Sequence, residues 1–178
     1  MNAMQKPWRI AILGAESTGK STLAEALATH FRTLWVPEYL REFVELHGRT
    51  PYEEEQLVIA RVQTEREDAA ALSASRFLFC DTTPLMTSLY SRFYWGRVEP
   101  RLERMAADRH YDLTLVTAPD APWVADGLQR ESEAVRQQIH TQLLAKLAAL
   151  NLPYSLVSGT EPMRLQQVES LLQRLTPA

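Results

Sequence analysis

Residues 14–22 read "GAESTGKST", directly after the apolar run "WRIAIL" of residues 8–13 and at the start of a helix-patterned stretch from Lys20 to Phe31. Gly14, Gly19, Lys20 and Ser21 match the spacing G-x-x-x-x-G-K-[ST] of a phosphate-binding loop. Each residue type has a reason. Glycines let the backbone turn with its amides pointing inward onto phosphate oxygens. A lysine brings a mobile positive charge to the outer phosphates, and a serine hydroxyl is a hard oxygen ligand for Mg²⁺. The helix that begins there adds the positive end of its dipole. A buried strand, a tight turn and a helix in that order commit the chain to an α/β sheet with its ligand edge at the carboxyl ends of the strands. The expected nucleotide site is therefore Gly14, Ala15, Glu16, Ser17, Thr18, Gly19, Lys20, Ser21 and Thr22.

The rest of the chain repeats that alternation. "TLWVPE" (33–38), "RFLFCD" (76–81), "YDLTLVTA" (111–118) and "PYSLVS" (153–158) read as further strands. Helices are predicted from 38 to about His47, after "RTPYEEE", over 83–95, 99–109 and about 132–150, and over "EPMRLQQVESLLQRL". The helix after "RTP" carries a capping-box pattern, with Thr50 at the N-cap, Pro51 at N1 and Glu53 at N3, and is expected to run about 20 residues. Strands that are apolar almost throughout, separated by helices, predict about five parallel strands in a three-layer α/β/α fold. All 178 residues are expected to form one domain, burying about 70% of the unfolded surface.

Composition narrows the partners. The net charge of −3 argues against nucleic acid as the ligand. The lone cysteine, Cys80, sits inside an apolar strand and reads as packed core; with no second cysteine a reducing, cytoplasmic setting is expected. "MNAMQKPWR" has no signal-peptide core, and no run approaches a membrane span.

Four features should then gather along the ligand edge: the phosphate loop, Glu38, Asp81 and the loop after Ala118. Asp81 closes an apolar strand in a carboxylate, the form of an acidic partner for Mg²⁺ or a base for the acceptor. "VPEYLRE" puts Glu38 and Arg41 where a kinase of this kind meets its acceptor, although an i,i+3 pair could also simply bond to each other. "PDAPWVADGLQR" (119–130) follows the fourth strand without helical or strand period. A kinase must keep water from the transferring phosphate, so this stretch is expected to be a lid, with Arg130 over the phosphates and Trp123 and Asp126 beside the ligand. Trp123 could equally pin the loop, and Asp120 and Asp126 could form only turn hydrogen bonds.

No N-K-x-D guanine motif and no transporter signature occurs, and the chain is short for a hexameric motor with a helical lid domain. A small kinase or a nucleotide-operated switch remains. At this level "GAESTGKST", "PEYLREF", "FCDTTPLMTSLY" and "APWVADGLQR" together resemble the ribosylnicotinamide kinase domain of NadR-type proteins, over about residues 9 to 175. The resemblance implies a phosphate-loop kinase fold and transfer of the ATP γ-phosphate to the 5′-hydroxyl of nicotinamide riboside, giving the mononucleotide for NAD biosynthesis. It implies ATP and Mg²⁺ as cofactors, with Lys20 and Ser21 on nucleotide and metal. Asp81 would be metal ligand or base, Glu38 and Arg41 would face the acceptor, and Asp126 and Arg130 would belong to the lid.

The chain departs from that family in three places. No adenylyltransferase histidine signature occurs, so that second activity is expected to be absent. "DTT" stands for the family's "DTD". The aromatics expected to sandwich the ring fall on Pro37 and on about Asp68 or Ala69, leaving Trp35, Tyr90, Tyr94 or Trp95 as substitutes. A kinase of another nucleoside or metabolite, or an ATP-binding switch with slow hydrolysis, stays open.

Overall fold

The computed structural model describes residues 6–125 and 132–176. Its five strands are β1 (Trp8–Leu13), β2 (Leu34–Val36), β3 (Phe77–Asp81), β4 (Leu113–Thr117) and β5 (Ser155–Val157). They form one parallel sheet in the order β2-β3-β1-β4-β5. The helices are α1 (Lys20–Phe31), α2 (Tyr39–His47), α3 (Gln56–Ala71), α4 (Pro84–Trp95), α5 (Pro100–Asp108), α6 (Glu133–Ala149) and α7 (Glu161–Leu175).

The period-2 geometry of a strand sends alternate residues of β1 to opposite faces. Ile10 and Ile12 pack with Leu23 and Leu27 of α1 and Val168 and Leu172 of α7. Ala11 and Leu13 pack with Leu85 and Met86 of α4 and Ile139, Leu143 and Leu147 of α6. Both faces are dry, which is why the strands read as unbroken apolar runs rather than alternating ones. Cys80 is buried with Val36 and Leu78.

The edges are less regular than the sequence pattern implies. β2 is three residues long rather than six, and Leu34 on it is 41% exposed. Thr33 leaves the ladder because its hydroxyl donates to the Phe77 carbonyl. The capping box is shifted by two residues. Glu55, not Glu53, reaches back to accept from the Tyr52 amide at 2.7 Å, because Arg49 holds Glu55 with two hydrogen bonds of 2.7 and 2.9 Å. Glu53 instead pairs with Arg97, and residues Glu53–Glu55 make a single 3-10 turn before α3.

The order of the strands places the site. From β1 the chain passes to β2 at one edge, and from β3 it crosses over β1 to β4 on the other side. The carboxyl end of β1 is thus the switch point between the two halves, where open α/β sheets bind their ligands. Asp81 on one side of it and the loop after Thr117 on the other both face the turn that follows Leu13.

Candidate active site

That turn is built without room for side chains at its first residue. A Cβ on Gly14 would lie 2.2 Å from Thr117 Oγ1 and 2.8 Å from Thr18 Oγ1. Thr18 donates to the Ala15 carbonyl at 2.7 Å and accepts from Thr117 at 2.7 Å, and the Thr117 hydroxyl also lies 3.2 Å from the Leu13 carbonyl. Gly19 caps α1 in the left-handed region at φ 84°, and Ser17 takes the same region at φ 57°. For a serine that conformation costs about 1 kcal/mol, so the surroundings must hold it. Lys20 is buried and its ammonium donates to the Ala15 carbonyl at 3.0 Å. Ser21 and Thr22 lie on the first turn of α1.

The surroundings that hold the turn are two arginines that pattern reading passes over. Arg136 of α6 and Arg164 of α7 are buried to 3% and 4% exposure. Arg136 donates to the Ser17 carbonyl at 3.0 Å and to the Ala121 carbonyl at 2.8 Å. Arg164 donates to the Thr18 carbonyl, to Ala118 O at 3.0 Å and to Gly159 O at 3.1 Å, and pairs with Asp120 at 2.5 Å. A loop whose amides must turn inward to phosphate turns its carbonyls outward, and here those carbonyls meet guanidinium donors. A signal for these residues exists in the sequence. Arg136, Ile139, Leu143 and Leu147 form the buried stripe of α6, and Arg164, Val168 and Leu172 that of α7. Each stripe opens with an arginine at the helix end that meets the ligand edge.

On the other side of the loop, the Ser21 hydroxyl donates to Asp81 Oδ2 at 2.5 Å. Asp81 is 1% exposed, and its Oδ1 is buried with no hydrogen-bond partner among the described residues. An orphaned carboxylate oxygen beside a phosphate-loop serine suits a divalent cation. Among the described residues no group of three or more His, Cys, Asp or Glu is set to hold a metal. Mg²⁺ there would therefore complete its shell from water and phosphate, as this ion commonly does.

Next to Asp81 the backbone is strained again. Thr82 has φ 69°, a rare conformation for a β-branched residue, and its hydroxyl donates to Glu38 Oε1 at 3.3 Å. Glu38 is buried, and its carboxyl is pushed up to about 8, first by loss of water and then by the nearby charges of Glu16 and Asp81; Lys20 and Arg41 oppose the shift. Glu38 and Thr82 open onto a narrow cavity of about 20 Å³ that Gln56, Ile59, Gln63 and Tyr90 also line. Tyr90 is the aromatic of that pocket, and its ring stacks on Tyr94. Asp68, one of the positions expected to face the acceptor ring, lies instead at the far end of α3, where it pairs with Arg9 and Arg109. The first half of α3, not its last turn, faces the pocket.

The loop after β4 is anchored as far as it is described. The Ser17 hydroxyl accepts from the Val124 amide at 3.2 Å and lies 3.3 Å from the Val124 carbonyl, to which it donates. Asp120 accepts from the Gly159 amide at 2.6 Å as well as from Arg164, so it ties two loops together. Trp123 is half-buried on this anchored stretch. Asp126 and Arg130, assigned to the lid from sequence, lie outside the described residues.

A family model described as "AAA domain" matches residues 9–164. The trifunctional NAD biosynthesis/regulator proteins NadR of Salmonella typhimurium and of Escherichia coli K12 are each 31% identical over 150 residues, covering 80% of this chain and 36% of theirs. The chain thus spans just over a third of the curated relatives it matches. Among solved structures, NadR protein in complex with NR superposes with a TM-score of 0.84 at 22% identity, covering 97% of this chain and 52% of that one. NadR protein in complex with NAD and AMP-PNP gives 0.82 at 22% identity, over 97% and 50%. Thymidylate kinase from Ehrlichia chaffeensis gives 0.65 at 13% identity, over 95% and 100%. The architecture is that of a phosphate-loop kinase.

Proposed function

The chain belongs to the AAA domain family, and on that footing we propose that it is an ATP-dependent kinase that phosphorylates the 5′-hydroxyl of nicotinamide riboside. The observation that carries the reading is the juxtaposition of the Ser21–Asp81 contact with the Glu38–Thr82 pair, a nucleotide side and an acceptor side within one edge of the sheet. The identity to NadR and the NR named in a complex of the same fold support the choice of acceptor.

The roles follow from the geometry. The inward amides of the loop and Lys20 take the phosphates of ATP. Ser21 and Asp81 take Mg²⁺, which when bound spreads the charge that develops during transfer. Loss of water around the buried Glu38 pushes its carboxyl up to about 8 and so favours the protonated form at neutral pH. A pyridinium ribonucleoside brings a positive charge to this pocket and lowers the cost of ionising Glu38, whose carboxylate can then accept hydrogen bonds from sugar hydroxyls. Arg41 adds a countercharge to that carboxylate. Arg130, assigned by its motif alone, supplies charge at the transferring phosphate, with Asp126 and Trp123 on the same stretch.

A second acceptor is favoured by one feature. Tyr90 is the lone ring among the residues lining the described pocket, with Gln56 supplying an amide, a lining that also suits another nucleoside. ADP release with a panel of nucleosides tests both. Nicotinamide riboside should stimulate release and yield its 5′-monophosphate. Stimulation by another nucleoside alone would move the acceptor, and slow hydrolysis unaffected by any of them would make the chain a switch.

A further inference from the structure

The two sides of the site are fastened to each other by a residue that none of the motifs contains. Gln63 is 3% exposed in the middle of α3. Its Oε1 accepts from the Tyr39 amide at 2.8 Å, and its Nε2 donates to the Pro37 carbonyl at 3.2 Å and to the Asp81 carbonyl at 3.3 Å. The orientation of the amide follows from its partners, one N–H and two carbonyls, so only one assignment satisfies all three. Pro37 and Tyr39 flank Glu38. Gln63 thus bonds both neighbours of the acceptor-side carboxylate and the backbone of the metal-side one, while also lining the pocket between them.

Neither strand end can do this alone. β2 and β3 pair only as far as Val36 and Cys80. Beyond that register the two chains diverge into loops, and the Pro37 and Asp81 carbonyls would be left without strand partners. α3 itself is fixed at its other end, where the buried Glu67 accepts from Arg109 at 2.8 Å and from the Tyr111 hydroxyl at 3.0 and 2.9 Å. A side chain on an anchored helix is therefore a rigid strut between the loops.

We infer that Gln63 is a positioning residue for phosphoryl transfer, holding Glu38 and Asp81 in register so that the acceptor hydroxyl and the nucleotide meet. The inference rests on the proposed function for the role of Glu38.

Gln63→Glu has the same shape and keeps the acceptor for the Tyr39 amide, but as a carboxylate it loses both donated hydrogen bonds. Expected is a rise in KM for nicotinamide riboside of about tenfold, the loss of two such bonds, with kcat lowered and the affinity for AMP-PNP in calorimetry changed less than about twofold. Once protonated, the introduced carboxyl can donate again. The ratio of the variant's KM to the wild-type value should therefore narrow as pH falls from 8 to 6, whereas Gln63→Met keeps a constant ratio. KM and kcat within about twofold of wild type, or a KM ratio flat with pH, would overturn the inference. Should Gln63→Glu not fold, Gln63→Met replaces it, with raised KM at unchanged AMP-PNP affinity expected and unchanged KM overturning. Wild-type turnover with nicotinamide riboside is measured first. If the wild type does not use it, the proposed acceptor has failed, and Gln63 is read in basal ATP hydrolysis, which depends on Asp81; an unchanged hydrolysis rate in Gln63→Glu overturns the inference there.

Discussion

Arg136 Nη1 donates to the Ser17 carbonyl at 3.0 Å, across 119 residues of sequence. The same guanidinium reaches Ala121, so one side chain of α6 spans the phosphate loop and the loop after β4. Lysine cannot bridge two carbonyls in fixed directions. Arg136→Lys should therefore release the left-handed Ser17 turn and weaken AMP-PNP binding by about tenfold, the worth of one to two such hydrogen bonds. Calorimetric titration of the folded variant checks this, and unchanged affinity would show that the loop is preorganised without Arg136.

Asp81→Asn preserves shape and removes the charge. If Asp81 serves Mg²⁺ or the acceptor proton, phosphoryl transfer should fall by at least about 10²-fold while nucleotide still binds measurably. Lys20→Ala should fall by a similar factor for the same reason. Circular dichroism of both variants, alongside ADP release, separates loss of chemistry from loss of fold. Transfer at near-normal rate in the Asn variant would remove Asp81 from the mechanism.

Glu38 makes stability depend on pH in the sense opposite to most carboxylates. Its folded pKa of about 8 lies above the ordinary 4.5, so between those values the folded protein keeps a proton that the unfolded chain has lost. The stability conferred by the protonated form is complete below about 4.5 and is lost as pH rises through about 8. Glu38→Gln stays neutral throughout. The Tm of the variant minus that of wild type should grow more positive from pH 5 to pH 9. A difference that stays constant over that range would place the Glu38 proton elsewhere.

Arg130 carries a sequence-based prediction. A charge that engages only as the phosphoryl group transfers lowers kcat when removed and leaves acceptor binding nearly untouched. Arg130→Ala should reduce kcat by about 10²-fold with KM for the acceptor changed less than about threefold. A raised KM with intact kcat would make Arg130 a binding residue instead.

The phosphate loop, the parallel sheet and the placement of Asp81 and Glu38 on one edge can be read from the chain because each is a local pattern. "GAESTGKST" is defined by backbone geometry that only certain residues permit, and doubly buried strands leave unbroken apolar runs. What escapes such reading depends on partners distant in sequence. Arg136 and Arg164 can be placed on the buried stripes of their helices, but the carbonyls that they meet cannot be read from those stripes. Thr50 and Glu53 satisfy a capping pattern, but Arg49 commits to Glu55 and moves the turn. Counting back from Asp81 puts Asp68 against the ring, whereas α3 carries it to the opposite end of the sheet, where Arg9 and Arg109 neutralise it. Gln63 belongs to no pattern because its three partners are backbone atoms of other elements.

The strand order β2-β3-β1-β4-β5 also fixes when the site can exist. The phosphate loop precedes in sequence the elements that support it, and β1 has no sheet neighbour until β3 and then β4 are made. Asp81 follows Ser21 by 60 residues, and the Arg164 that braces Thr18 follows it by 146. Contacts of such separation close late and cost the most loop entropy. A nascent chain stalled before α7 carries the whole "GAESTGKST" sequence but not its brace. A nucleotide held by this loop would therefore stabilise the finished fold by mass action, and would not serve as a template around which the early chain condenses.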